Sequence, residues 1–338
     1  MSLFRPAAKL RRGPALAVLA TSTAMLLSAC GSGSGGTTPG AAAGSGSSGS
    51  GSRSVYALVS GTNVPYLATY AETLKKEATA TGATLTVLSA DYDASKQAQQ
   101  FDQAIAAKPS VIIVAAVDTT AVVPSLLKAK NSGIPVIASN TGVDESGKSF
   151  LAGFTGPDDV LEGKNAATLM AEALGSQGQI AIVEGALGTS AQINRSKGFV
   201  DELTASAPGI RVLDKQTGSW DKEKARSAAA NFITRFGAKL TGIFAEDDTM
   251  ASGAAQAVAD AGMKGKIKIV GIGGSTQGFD GIKDGSIFGT VIQSPVDDAK
   301  LAVKAATAVA NGETIPAEQY LTPTTVKSAN VSQFTPEW

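Results

Sequence analysis

From Ser54 onward, hydrophobic and polar positions alternate in a regular way. Short apolar runs rich in β-branched residues occupy 54–60, 84–89, 110–116, 134–138, 150–154, 179–183, 210–214, 241–245, 267–272 and 287–292. Several are apolar at consecutive positions, the pattern of strands covered on both faces. Between them lie stretches with helical spacing. In 66–81, Leu67, Tyr70, Leu74 and Ala78 recur three or four apart and make one apolar stripe. Similar stretches occupy 95–107, 119–132, 158–175, 190–206, 221–236, 247–262 and 296–311. This order predicts an α/β fold with parallel sheets, right-handed crossovers and helices on both faces. About ten strands fit two doubly wound lobes better than one sheet, and the pattern restarts near residue 150.

The first 53 residues follow another pattern. Residues 1–13 hold Arg5, Lys9, Arg11 and Arg12 and no acid, and 14–27 form an apolar run of 14. Small residues Ser28 and Ala29 then precede Cys30. Basic segment, apolar segment and small residues at a cut describe a secretory signal peptide. As a helix the apolar run would rise about 21 Å, short of the ~30 Å hydrocarbon core, so a permanent span is the weaker reading. Leu27-Ser28-Ala29-Cys30 resembles a bacterial lipobox, which implies a diacylated Cys30 at a mature N-terminus and a stable two-chain membrane anchor. The plainer alternative is an ordinary signal peptide with an incidental cysteine. Residues 31–53, of which 16 of 23 are Gly or Ser, read as a flexible tether with a reach of roughly 25 Å. Gly31, Gly33 and Gly36 match a dinucleotide-binding glycine spacing, but no strand precedes them and no helix follows.

Composition narrows the function classes. The 338 residues are 43% hydrophobic and 17% charged with zero formal net charge, which disfavours nucleic acid as a partner. With no histidine, imidazole catalysis and His-ligated metal sites are excluded. A single cysteine excludes an intrachain disulfide.

Ligands of doubly wound sheets sit in the crevice beyond the C-terminal strand ends. The loops there carry Ser60-Gly-Thr-Asn-Val-Pro-Tyr66, Gly185-Ala-Leu-Gly-Thr-Ser190 and Ile243-Phe-Ala-Glu-Asp-Asp-Thr-Met250. Ile134-Pro-Val-Ile137, Ile269-Val-Gly-Ile272 and Thr290-Val-Ile-Gln293 complete the set. In order and spacing these segments resemble the periplasmic sugar-binding proteins of the ribose/galactose type, the substrate-binding lipoproteins of ABC importers. The likeness covers roughly residues 54–328.

The resemblance implies two Rossmann-like lobes joined by three crossovers, the type I periplasmic binding protein fold. Residues 54–155 plus 295–321 would form the N-terminal lobe, and 156–294 plus 322–338 the C-terminal lobe. It also implies capture of a sugar or polyol by lobe closure, importer membrane subunits as partners, no cofactor, no metal and a monomer. Tyr66, with Leu67 beside it, and Trp220 match the family's ring-stacking aromatics from the two lobes; ordinary packing is the alternative. Asn140 and Gln293 match amide positions that pair with hydroxyls, though Asn140 also suits a turn. Asp247 matches a ligand-contacting Asn or Asp, and equally a helix N-cap.

Three positions depart from the family pattern. Ile193 stands at the usual arginine, Thr141 at a second arginine, and Gly273 at the usual aspartate. They predict a less polar pocket than one for a typical free pentose or hexose. Arg195 is about 200° around the helix from Ile193, so Gln192 is the better stand-in. Asp247 then lacks its cationic neighbour, which leaves an amine-bearing ligand as an alternative to a sugar or polyol. Among other classes, an enzyme lacks a histidine, a usable cysteine or a G-x-S-x-G elbow. A sugar-responsive repressor would need a DNA-binding helix-turn-helix where the signal peptide stands. Presentation of ligand to a membrane receptor is compatible with every feature.

Overall fold

The ten apolar runs all become strands, and they divide between two sheets. The computed structural model describes residues 53–338; the basic segment, the apolar run, Cys30 and the Gly/Ser stretch as far as residue 52 lie outside the described residues. The chain runs through β1 (Ser54–Val59), α1 (Pro65–Ala80), β2 (Thr84–Ser89), α2 (Ala94–Ala107) and β3 (Val111–Val114). It continues through α3 (Val123–Asn131), β4 (Val136–Ser139), the single turn α4 (Glu145–Lys148) and β5 (Gly153–Pro157). A second series follows: α5 (Asp159–Leu174), β6 (Gln177–Glu184), α6 (Ser190–Ser206), β7 (Gly209–Thr217) and α7 (Lys222–Phe236). It ends with β8 (Gly242–Ala245), α8 (Asp248–Asp260), β9 (Lys268–Val270), α9 (Thr276–Asp284) and β10 (Gly289–Ile292). Last come α10 (Pro295–Ala310), β11 (Glu318–Leu321) and β12 (Thr324–Lys327).

The first sheet has the order β11-β5-β4-β3-β1-β2 and is parallel throughout. The second has the order β12-β10-β9-β8-β6-β7, with β12 antiparallel to β10. The chain passes between the lobes three times: from β5 into α5, from β10 into α10, and from β11 into β12. Helix α10 packs on α1 and on β3, β4 and β5 of the first lobe. All four residues of β3, β4 and β8 are buried, as strands covered on both faces require.

Pattern reading misses four of these elements and displaces one; the single turn α4 is too short to show a helical period. Strands β11 and β12 are half-exposed edge segments without an apolar run. Helix α9 contains Gly278 and Gly281, which interrupt the helical signal. The run at 150–154 becomes a strand only from Gly153, because Phe150 and Leu151 close the turn after α4.

Helices begin where the site will be. Asp93, Asp158, Thr189, Asp221, Asp247, Ser275 and Ser294 cap their helices through side-chain oxygens that accept backbone N–H groups. Each cap follows a strand, so the caps and their neighbours gather at the C-terminal edges of both sheets.

Candidate ligand-binding cleft

Those edges face each other and enclose a cavity of about 50 Å³. Ser60 and Tyr92 reach it from beyond β1 and β2, and Asn140 and Thr141 from beyond β4. Trp220, Asp247, Ile272 and Gln293 reach it from beyond β7, β8, β9 and β10. Tyr92, Asn140 and Trp220 hold left-handed backbone, with φ of 61°, 63° and 61°. Non-glycine residues adopt this conformation at a cost of order 1–3 kcal/mol, and such strain concentrates at ligand sites.

Aromatic rings form the walls. Tyr66 sits in the first turn of α1, whose start is set by Pro65. The Trp220 indole lies on Gly185, where a Cβ would overlap its six-membered ring. Trp338 meets Tyr66 edge-on, with centroids 5.7 Å apart and planes at 87°.

The polar groups are held by buried partners. Asp298 of α10 accepts from the Tyr66 hydroxyl at 3.1 Å and from Asn140 Nδ2 at 2.9 Å, fixing both. Thr141 donates to the Ala116 carbonyl at 2.9 Å. Burial pushes Asp298 up to about 7 and raises the Tyr66 hydroxyl well above its ordinary value.

Arg195 is the centre of the second-lobe set and is 4% exposed. Its Nε donates to Asp159 at 3.0 Å, Nη1 to the Glu246 carbonyl at 2.8 Å and Nη2 to Gln293 Oε1 at 2.6 Å. Glu162 lies 3.0 Å away, and the guanidinium stands 5.8 Å from the Trp220 ring centroid. Burial disfavours this charge, but Glu162 and Asp159 outweigh it and keep Arg195 protonated. The ion pairs depend on close approach of α5 and α6. Gly163 faces the Arg195 backbone and Gly198 the Val160 backbone, and a Cβ at either would collide.

Asp247 caps α8, accepting from the Met250 N–H at 2.7 Å, and also lines the cavity. The capping residue of α8 is thus also a wall of the cavity. Burial raises its carboxyl to about 7, with Arg195 pulling the other way.

Seven of the ten residues expected at the ligand line this cavity: Tyr66, Leu67, Asn140, Thr141, Trp220, Asp247 and Gln293. Three do not. Ile193 is 43% exposed and faces outward. Gln192 turns its amide to Glu184 and Gly188, at 3.3 and 3.4 Å. Gly273 lies behind Trp338 rather than on the cavity. The expectation for α6 is thus corrected. Ile193 and Arg195 do point to opposite sides of the helix, but Arg195 is the inward one, so Asp247 has a cation nearby. Tyr92, Arg195, Asp298 and Trp338 were not among the expected residues. Left-handed backbone at Tyr92 has no single-residue signature, and the other three depend on contacts distant in sequence.

The lobes touch directly at the cleft mouth. Thr119 N–H donates to the Gly188 carbonyl at 3.0 Å, and Gly142 N–H to Ser190 Oγ at 2.7 Å. This is a closed arrangement of two lobes about a small aromatic-walled cavity.

A family model described as periplasmic binding protein domain matches residues 55–314. The chain belongs to this family. Among curated relatives, the binding protein is 37% identical over 227 residues to a xylitol-binding protein of Mycolicibacterium smegmatis, covering 67% of this chain and 64% of that protein. It thus spans somewhat less than two thirds of that relative's length. It is 27% identical over 257 residues to a ribose import binding protein of Bacillus subtilis, covering 76% and 81% of the two chains. A solved ABC transporter solute-binding protein from Bacillus halodurans with bound myo-inositol superposes with a TM-score of 0.79 at 26% identity, covering 84% of this chain and 97% of the other. One from Mycobacterium smegmatis with bound glycerol gives 0.78 at 27%, covering 84% and 96%.

Proposed function

We propose that this binding protein captures a neutral polyol or small sugar outside the cytoplasm and presents it, lobes closed, to the membrane subunits of an ABC importer. The observation that carries this reading is the cavity itself. Tyr66, Trp220 and Trp338 offer apolar faces, and Asn140, Arg195, Asp247 and Gln293 offer donors and acceptors for hydroxyls. Asp159 and Glu162 already neutralise Arg195, so no free cation calls for an anionic ligand. Arg195 likewise supplies Asp247 with a cationic neighbour, which removes the reason for an amine. The relatives point the same way, being named for xylitol and ribose or solved with myo-inositol and glycerol.

Capture works by differential contact. Aromatics and amides from both lobes meet a ligand together only when the cleft is shut, so the ligand shifts the open–closed equilibrium toward closure. Binding without turnover is all that the arrangement asks of its residues. The lobes divide as 54–157 with 295–321, and 158–294 with 322–338; the expected boundary at 155 moves to Pro157 because Gly156 and Pro157 pair with Tyr320 and Leu321 in the first sheet. The protein acts as a monomer without a cofactor and is held to the membrane by acylated Cys30.

Isothermal titration of the purified protein with xylitol, ribose, myo-inositol, glycerol and a matched set of amines tests the ligand class. Saturable one-site binding of a polyol or sugar is expected; binding of amines alone overturns the reading. Intact mass of membrane-extracted protein tests the anchor. Acyl mass on Cys30, and its loss with release of the Cys30→Ser variant, is the expected result.

A further inference from the structure

Most polar side chains that border the cavity are already hydrogen-bonded within the protein. Among the described residues, the buried side-chain atoms with no hydrogen-bond partner include only one from a cavity-lining residue, Trp338 Nε1. A buried N–H without an acceptor costs roughly 1–3 kcal/mol. The chain nevertheless holds this ring in place from three sides. The Trp338 carbonyl accepts from Thr276 N–H at 2.8 Å and Thr276 Oγ1 at 2.9 Å, which anchors it to α9 of the second lobe. Glu337, next to it, accepts from Ser294 Oγ at 2.6 Å at the crossover into α10. The ring then crosses to the first lobe and meets Tyr66 edge-on.

Gly273 makes the insertion possible. A Cβ there would stand 2.6 Å from Trp338 Cζ2, so the indole fills space that any other residue at 273 would claim. The two positions act as a pair: a missing side chain on β9's loop and an indole delivered from elsewhere in the chain.

We propose that Trp338 is a specificity-determining ligand contact, its Nε1–H donating to a hydroxyl oxygen of the bound polyol. This rests on the reading of the cleft as a polyol or sugar site. The residue favours a ligand that presents a neutral acceptor oxygen beside the Tyr66 edge. Because its backbone is fixed to the second lobe and its ring meets the first, it takes part in closure as well as recognition.

The test uses the full chain with xylitol, ribose and myo-inositol, and the tightest binder serves as probe. Trp338→Phe keeps a ring and removes the N–H. Its affinity for the probe is expected to fall between twofold and about tenfold, and that of Trp338→Ala further. Monodeoxy analogues of the probe separate recognition from shape. One of them, lacking the contacted hydroxyl, should bind wild type and Trp338→Phe equally. The chain has two tryptophans, so 15N-indole labelling gives two N–H resonances, assigned by the loss of one in Trp338→Phe. The Trp338 resonance should move downfield on saturation with the probe. Equal probe affinity in wild type and Trp338→Phe, or an unmoved Trp338 resonance at saturation, overturns the proposal and leaves the site reading intact. Failure of wild type to bind any of the three probes overturns both.

Discussion

Arg195 Nη2 donates to Gln293 Oε1 across 2.6 Å, joining a second-lobe helix to the strand end at a crossover between the lobes. The same guanidinium faces Asp159 and Glu162 on α5, each 3.0 Å away. One side chain therefore borders the cavity, bonds to Gln293 at the crossover and sets a single positive charge beside two buried carboxylates. Arg195→Ala should leave those carboxylates uncompensated, at a cost of about 3–5 kcal/mol and a fall in melting temperature of roughly 10 °C. Arg195→Lys keeps the charge but cannot reproduce the planar fork that reaches Asp159, the Glu246 carbonyl and Gln293 together. It should melt closer to wild type yet lose at least about tenfold in polyol affinity, which calorimetry of both variants would show.

Gly185 and Trp220 form a second dependence. A side chain at 185 cannot coexist with the indole where it stands. Gly185→Ala is expected to displace Trp220 and weaken the ligand about tenfold, the worth of an aromatic contact of about 1.4 kcal/mol. Trp220→Ala should weaken it at least as much. Titration decides the matter: an unchanged affinity in Gly185→Ala would mean that Trp220 does not pack on the ligand.

These two cases show what the sequence could and could not carry. Strands were legible wherever both faces are buried, since β3, β4 and β8 then read as apolar runs. Edge strands β11 and β12 were not, because they are only partly buried and carry polar side chains among the apolar ones. Loops after strands pointed to Tyr66, Asn140, Trp220, Asp247 and Gln293, which do line the cavity. Direction on a helix was harder. Ile193 and Arg195 have opposite orientations by spacing alone, but which one faces in depends on the α5 carboxylates and on Gly163 and Gly198, all read only once the helices are packed. Asp298 and Trp338 reach the site from segments far along the chain, where no local pattern marks them.

The buried carboxyls set a pH dependence opposite to that of surface ion pairs. Burial raises Asp247 and Asp298 to about 7 and Glu246 to about 8. Their unfolded values lie near 4. Between about pH 4 and 8 the folded chain therefore holds more protons than the unfolded one, and its stability falls as pH rises. The contribution is fully present below the unfolded values and lost as pH passes through the folded ones. Denaturant unfolding of the ligand-free protein should give a larger free energy at pH 5 than at pH 8. Asp298→Asn should flatten that slope.

Ligand should act on the same groups. Hydroxyls that donate to Asp247 favour its ionised form, so binding near pH 7 should release protons and affinity should rise as pH increases through 7. Titrations in buffers of different ionisation enthalpy would count the protons. Asp247→Asn should abolish the release, and release that persists in that variant would move the effect to another group.

The closing contacts can be separated from the ligand contacts. Ser190 Oγ accepts from the Gly142 N–H at 2.7 Å across the cleft mouth, and neither residue is among those lining the cavity. Ser190 is not the cap of α6, a role taken by Thr189, so its loss leaves the helix start intact. Ser190→Ala removes one inter-lobe hydrogen bond worth about 0.5–1.5 kcal/mol and alters no residue that lines the cavity. The closed state should lose that much, and apparent affinity should fall about two- to tenfold, chiefly through faster release. Small-angle scattering of the ligand-free variant should show a larger radius of gyration than wild type, and saturation with ligand should bring the two together. A variant that scatters like wild type when ligand-free, with unchanged release, would place the closing force elsewhere, with Thr119 and Gly188 the next pair to break.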